Sequence, residues 1–295
     1  MLEPQEGMQV QEIVAWAKYA ERSGYGCVLR SDHLLPIEGR KDQDSPEAWV
    51  TLGILAAETK TIKFGSLVTP IGFRNPVLLA RMACNVNDYS HGRLMLGIGA
   101  GWYKEEYFRA GYDFPKFQIR YKQFMEALNI ITPLIKGIPV DFQGTYFMAR
   151  TSCYPKRKMH LIIGGRNIGF IRAAEKYADE WNIADIPIQD TRELIAKKKR
   201  SKRIEVSRMG PFFLAENRRQ LKSKLKHKTI FNKIYGTPLK PENLRKRGVL
   251  CGTVDEFNSQ INALKEAGIQ KFYFQILNPK DKEMVSLLTR TLRTS

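Results

Sequence analysis

Cysteine is scarce and scattered: Cys27, Cys84, Cys153 and Cys251 lie far apart with no CxxC spacing. That excludes a dense disulfide framework and reads as free thiols of a reduced, cytoplasmic protein. Long apolar runs are missing too, the longest nearly apolar stretches being under ten residues. A membrane-spanning helix needs about 20. The opening MLEPQEGMQV has neither a basic nor an apolar leader region, so no secretory signal is expected. Histidine is limited to His33, His91, His160 and His227, with no HxH or HExxH spacing, so no metal site is expected. Acid is short relative to base, with 30 Asp+Glu against 48 Lys+Arg and a net charge of +18. Apolar residues at 43% and charged residues at 26% exclude wholesale disorder and a fibrous chain. A length of 295 residues allows one large domain or two small ones.

The positive charge is concentrated. Residues 192–250 carry 19 Lys+Arg and four Asp+Glu, a net of +15, leaving +3 for the other 236 residues. Such a segment is either a solvated, Lys-rich lid or an anion-attracting surface for nucleic acid or an acidic ligand. It lacks regular aromatic interleaving, so nucleic acid is not the expected partner.

Hydrophobic periodicity places helices at Val10–Arg22, from Ser45-Pro46 to Thr59, from Asn75-Pro76 to Tyr89 and over about 119–135. Further helices are expected at about 168–177 and 190–202, from a Thr253/Glu256 capping box to Ala267, and at the end of the chain. Residues 138–155 suggest a hairpin around Gly144. Seven apolar strands begin near 26, 62, 93, 160, 180, 204 and 271, and MLEPQ is a candidate eighth. If so, that strand is short, or Met1 is an internal methionine taken as the start. Strands apolar on both faces and joined by helices predict an α/β fold of the (β/α)8 TIM-barrel type, a single domain over 1–295 with a basic helical lid inserted at 190–250. The rival is a doubly wound sheet, which wants a glycine fingerprint at its first strand–helix turn; Ser31-Asp32-His33 is not one.

Barrel chemistry sits after the carboxyl ends of the strands. That rule selects Glu3 and Gln5, then Ser31, Asp32 and His33, then Ser66, Thr69 and Pro70. Gly99, Ala100, Gly101 and Trp102 follow, then Gly164–Asn167, Asn182, Asp185 and Gln275. His33 is a natural proton donor or acceptor, and a neighbouring carboxylate such as Asp32 can tune or orient it. The alternative is a hydrogen-bonded loop histidine. Gly164, Gly165 and Arg166 precede a helix start, where free N–H groups and a cation suit a phosphate; otherwise the glycines simply serve a tight turn. Trp49, Trp102 and Tyr103 are candidates for an aromatic pocket or for packing.

The segments SDHLLP (31–36), EAWVTLGILAAET (47–59), FGSLVTPIGFRNPVLLARMA (64–83), SHGRLMLGIGAGWYKEEY (90–107), IGG (163–165) and ADEWN (178–182) follow one another as in the bacterial luciferase-like superfamily. This superfamily comprises flavin-dependent monooxygenases and oxidoreductases of the deazaflavin coenzyme F420. The match is close over residues 2–185 and looser over 252–275. The start, LEPQEGM, is similar to the deazaflavin-dependent oxidoreductase subgroup.

The resemblance implies a barrel that holds coenzyme F420 or FMN. It implies a non-proline cis peptide around Gly65-Ser66-Leu67, bulging against the ring. Asp32 and His33 match a cofactor- and substrate-contacting pair, His33 as proton donor and Asp32 as its orienter. Thr69 matches a pocket residue, and Gly164 and Gly165 a phosphate loop. Gly99, Gly101 and Arg166 complete the expected cofactor contacts, and Glu3, Trp49 and Trp102 the expected substrate pocket. Luciferase carries an arginine where this chain has Ala100, which shifts the expectation from FMN toward the deazaflavin. The implied activity is hydride transfer between coenzyme F420 and a small organic substrate; the alternative is a reduced-FMN-dependent monooxygenase. Members of the superfamily commonly dimerise, so a homodimer is one expected assembly. A basic lid would steer in the acidic tail of a deazaflavin.

Overall fold

Apolar strands with no polar face must be covered on both sides, and here they line a barrel wall. The computed structural model describes residues 1–37, 42–43, 45–198, 204–226, 239–278 and 281–293. The strands are β1 (Cys27–Arg30), β2 (Lys63–Pro70), β3 (Leu94–Gly99), the outer hairpin β4 (Val140–Gln143) and β5 (Met148–Thr151), β6 (His160–Gly164), β7 (Glu180–Ile183), β8 (Glu205–Ala215), β9 (Leu250–Thr253) and β10 (Lys271–Gln275). A parallel path runs β1-β2-β3-β6-β7-β8-β10, with β9 attached to the far half of β8. Leu2 forms parallel bridges both to Arg30 and to Ile276, so the two ends of the path meet at the amino terminus. The architecture is the expected (β/α)8 barrel. The expected first strand MLEPQ shrinks to this bridge, because Pro4–Glu6 already turns as a 3-10 helix.

The helices are α1 (Val10–Arg22), α2 (Ala48–Glu58), α3 (Pro76–Tyr89), α4 (Lys104–Arg109), α5 (Phe117–Leu134), α6 (Ile168–Tyr177), α7 (Ile188–Ala196), α8 (Arg218–Lys226), α9 (Pro241–Lys246), α10 (Val254–Glu266) and α11 (Lys282–Arg293). Asn75 caps α3 by accepting from Val77 N at 2.9 Å, worth about 1 kcal/mol. The Thr253/Glu256 capping box of α10 forms as expected. The start of α2 differs: Glu47 is its cap, accepting from Val50 N at 2.7 Å. Ser45 instead donates to the His33 carbonyl at 3.0 Å, tying the loop after β1. The helix expected at 190–202 is α7, and residues 199–203 lie outside the described residues.

Two apolar layers hold the barrel. Phe64, Leu96, Ile98, Phe124, Ile163 and Trp181 pack between wall and helices, each less than 1% exposed. Leu29, Leu67, Met95, Ile162 and Tyr273 fill the interior. All six residues of β3 are buried, as a strand covered on both faces requires. The basic segment is not one inserted lid, since β8, a barrel strand, runs through it. Several of its cations pair with acids of later elements: Lys224 with Asp281 at 3.1 Å, Arg218 with Glu256 at 3.1 Å and Arg192 with Glu266 at 3.8 Å. A few of the segment's 19 cations are thus met by acids of α10 and of the turn before α11.

Candidate active site

A cavity of 660 Å³ opens at the carboxyl ends of the strands. Its floor is made by an irregularity in β2. The β2–β3 register slips between Ser66 and Thr69, and the Leu67-Val68 peptide is cis. The cis bond thus lies one position beyond the expected Gly65-Ser66-Leu67. The slip brings the Val68 side chain over β3 and β6, where only glycine leaves room. A Cβ added to Gly99 would stand 2.6 Å from Val68 Cγ2, and one added to Gly164 2.9 Å from Val68 Cγ1. Leu67, Gly99 and Gly101 line the cavity, while Gly65 and Ser66 lie behind it. Gly65 is needed for strand packing, since its Cβ would fall 1.8 Å from the Met95 carbonyl oxygen.

His33 stands at the end of β1 with Nδ1 held by Glu106 of α4, at 3.0 Å from each carboxylate oxygen. The Glu106 side chain is 1% exposed and also accepts from Leu34 N at 3.0 Å. Burial alone would push the His33 pKa down. The hydrogen bond and charge of Glu106, with the charges of Glu3 and Asp32, more than offset this and raise it. Trp102 and Tyr103 set their rings edge-on to the imidazole, at centroid distances of 5.8 and 6.2 Å. Nε2 makes no hydrogen bond within the described residues, and His33 lines the cavity. This is the geometry of a proton donor or acceptor with its rear nitrogen anchored and its front nitrogen available.

Glu106 thus takes the orienting role expected of Asp32. Asp32 lines the cavity as well, but its carboxylate is engaged in a bidentate pair with Arg74 at 2.7 and 3.2 Å rather than with His33. Thr69 donates to Asp32 at 2.9 Å, and Arg74 also bonds Glu47. Burial lowers the Arg74 pKa, but Asp32 and Glu47 reverse that and raise it. Trp49, expected in the substrate pocket, is 3% exposed and does not line the cavity; its indole N–H donates to Thr69 at 3.2 Å. Trp49, Thr69 and Ser66 therefore form a polar backing for Asp32. Glu3 does line the cavity, accepting from Gln5 and Gln275, both at 2.8 Å. Trp102 lines it from an exposed position.

The expected phosphate seat is partly committed to the fold. Gly165 N donates to Asn182 O at 3.1 Å, and Gly165 O accepts from Trp181 at 2.8 Å. Asn167 caps α6, accepting from Gly169 N at 2.9 Å and Phe170 N at 3.3 Å. What remains for an anion is Arg166, exposed at the rim with no acid partner among the described residues. Arg120 also lines the cavity; it stacks on Phe114 at 3.8 Å, and its buried Nε has no partner. Sequence reasoning passed over Glu106 and Arg120, which come from α4 and α5, and Arg74, which stands just past the turn that follows β2. Only the acidic pair in the KEEY stretch offered a signal for Glu106.

A second polar cluster lies at the opposite end of the barrel. His160, Glu180 and Glu205 bring one ligand atom each to within 4.8 Å of one another. His160 thus belongs to a three-donor group that the spacing of histidines did not show. Lys271 Nζ sits among them at 2.9 Å from Glu180 and 2.5 Å from Glu205, and Tyr273 donates to Glu180 at 2.7 Å. The lysine ammonium supplies the positive charge at that point. No described helix is long and apolar enough to cross a membrane.

A parallel barrel with a cavity at its carboxyl ends, a bulged second strand and a carboxylate-anchored histidine defines a class of barrel oxidoreductases. The chain belongs to the luciferase-like monooxygenase family, whose model matches residues 2–273. It is 29% identical over 174 residues to an F420-dependent glucose-6-phosphate dehydrogenase of Microbacterium testaceum, covering 58% of this chain and 51% of that one. The chain thus spans about half the length of that relative. An F420-dependent secondary alcohol dehydrogenase solved with an F420-acetone adduct shares the fold with a TM-score of 0.77 at 18% identity, over 93% of this chain and 92% of that one. The oxygenating constituent of 3,6-diketocamphane monooxygenase from Pseudomonas putida, solved with FMN, shares it with a TM-score of 0.76 at 17% identity, over 99% and 95%.

Proposed function

We propose that this chain is an oxidoreductase that transfers hydride between coenzyme F420 and a small alcohol or carbonyl compound. The observation that carries the reading is the His33–Glu106 pair: a histidine anchored at Nδ1, with Nε2 uncommitted at the wall of a 660 Å³ cavity. Moving hydride to or from a carbon–oxygen bond requires a proton at the oxygen, and a histidine with raised pKa is suited to hold it. Similarity to F420-dependent dehydrogenases supports the choice of cofactor.

The residues present fit a flat-ring cofactor with an anionic tail. Val68 over the glycines forms a floor, and Arg166 and the unpartnered Arg120 Nε offer donors to acidic groups. The cavity lies within the usual range of about 300–1,000 Å³ for ligand sites. Bound there, a deazaflavin supplies the hydride chemistry. His33 gives or takes the proton at the substrate oxygen through Nε2, Glu106 holds its ring, and the Asp32–Arg74 pair keeps the wall beside it rigid. Leu67 and Val68 keep water from the floor.

The family's monooxygenases and the FMN-bound relative favour a second reading, a reduced-FMN-dependent monooxygenase. Spectroscopic titration of the purified protein with each cofactor separates them. The expected result is tight coenzyme F420 binding that weakens with added salt; tight FMN binding with no F420 binding overturns the first reading.

A further inference from the structure

Two of the four free thiols belong to one wall of the molecule. Cys84 lies on the buried face of α3, and Cys153 lies in the irregular connector 152–159 between β5 and β6. Each is 5% exposed, and both are part of the main apolar core. The other two stand apart from them and from each other: Cys27 packs against the interior cluster, Cys251 within the cluster of β8, β9, α8 and α9. Neither Cys84 nor Cys153 lines the catalytic cavity.

Hydrogen bonds hold α3 against the connector on both sides of the pair. One turn before Cys84, Arg81 donates to Thr151 Oγ1 at 2.9 Å and to the Ser152 carbonyl at 3.2 Å. One turn after it, both oxygens of Asp88 accept from Lys156 N at 3.0 Å. Asn87 donates to the carbonyls of Arg157 and Lys158 at 3.2 and 3.4 Å. Residues three and four apart share a helix face, so Arg81, Cys84, Asn87 and Asp88 form one stripe. The connector follows that stripe in the same direction, and Cys153 falls between the two sets of bonds as Cys84 does. Burial pushes the Cys84 thiol up to about 12, and the facing Cys153 thiol adds to the rise.

The geometry points to Cys84 and Cys153 as a modification site, a dithiol that a hydroperoxide converts reversibly into a disulfide tying α3 to the connector. Cys153, beside the 80% exposed Tyr154, is the half that local opening of the connector presents. With hydrogen peroxide, the Cys153 thiolate attacks one oxygen and the O–O bond breaks. The other oxygen takes up a proton and leaves as water, and Cys153 becomes a sulfenic acid. Cys84 then gives up its proton and attacks that sulfur; the S–S bond forms, the S–O bond breaks and a second water leaves. The two thiols lose two electrons and the peroxide gains them. A dithiol reductant restores both thiols by exchange. A buried thiol with a high pKa is inert, so the closed connector protects the pair. The inference is independent of the catalytic reading.

The test exposes the folded full chain to a small excess of hydrogen peroxide at neutral pH. Intact mass, a non-reducing peptide map and melting temperature are then read. The chain should become about 2 Da lighter, with the peptides of Cys84 and Cys153 joined. Because the bond closes a loop of about 70 residues, the melting temperature should rise by about 5 °C or more. Dithiothreitol should reverse all three changes. Cys84→Ala and Cys153→Ser should each lose the joined peptides and the rise, whereas the double variant Cys27→Ser/Cys251→Ser should keep both. The peptide map of the parent chain decides the matter even where a variant fails to fold. Peptides that stay separate, or that join only in urea, overturn the assignment. So does a bond to Cys27, Cys251 or a second chain, or a gain of about 32 Da at either residue as sulfinic acid. A joined chain with an unchanged melting temperature overturns it too, since α3 and the connector would then not be tied.

Discussion

The Glu106 carboxylate grips the His33 ring at Nδ1 from across 73 residues of chain, with both oxygens at 3.0 Å. The raised pKa of His33 follows from this contact, and so does its pH behaviour. In the direction that reduces a carbonyl, His33 must carry a proton, so the rate should hold above the ordinary histidine pKa of about 6.5 and fall as pH rises through the raised value. In the reverse direction the rate should rise over the same window. Glu106→Gln removes the charge but keeps an acceptor. It should move both limbs to lower pH and reduce kcat about 10- to 100-fold, checked by pH–rate profiles in each direction. The same contact stabilises the fold fully below about pH 6.5 and loses that contribution as pH rises through the raised pKa.

The Asp32–Arg74 pair is buried on both sides, with side chains 1% and 10% exposed. Arg74→Met leaves a buried carboxylate without its cation and should cost about 3–5 kcal/mol. The double variant with Asp32→Asn should recover much of that. Urea unfolding of the parent, each single variant and the double variant provides the cycle, and a double-variant loss equal to the sum of the two single losses would show that the two side chains act independently.

Gly99 leaves the space that Val68 fills. Gly99→Ala should push the floor into the cavity and weaken flat-ring binding at least about tenfold, by overpacking of about 1–3 kcal/mol. Val68→Ala in the same chain should restore it. Fluorescence titration with coenzyme F420 measures both effects, and an unaltered affinity in the single variant would place the ring away from this wall.

At the other end of the barrel, the ion pairs of Lys271 set acid stability. Despite burial, Glu180 is held below the ordinary carboxylate range by His160, Ser207 and Lys271. Its contribution is present above an unfolded pKa of about 4.3 and is lost as pH falls through the lowered value. Lys271→Met should destabilise the protein by about 3 kcal/mol at neutral pH, with a smaller difference from the parent near pH 3. Thermal melts at pH 3 and pH 7 check the sign.

The periodicity of the chain carried the fold unusually far. All seven strands of the parallel path could be placed because parallel strands covered on both faces are apolar throughout, and β3 is the extreme case. One of them, β8, was legible as a strand, but the basic residues around it were taken together as one lid. The charges of that segment are visible in the sequence, whereas their partners on α10 and α11 are not. His33 was found by the rule that barrel chemistry follows the strands. Trp49 was misplaced because an aromatic residue in the first turn of a helix reads the same whether it faces the cavity or backs Thr69.

By itself, the sequence determined the strand–helix alternation, the barrel, the cavity end and His33. These rest on local periodicity and on the handed, parallel connection of neighbouring units. The tertiary structure alone decided that Glu106 rather than Asp32 holds the histidine, that Arg74 holds Asp32, that Val68 rises over the glycines and that Lys271 stands among His160, Glu180 and Glu205. Each of these depends on where helices and distant strands bring their side chains, and a directional contact between residues far apart in the chain leaves no spacing to read.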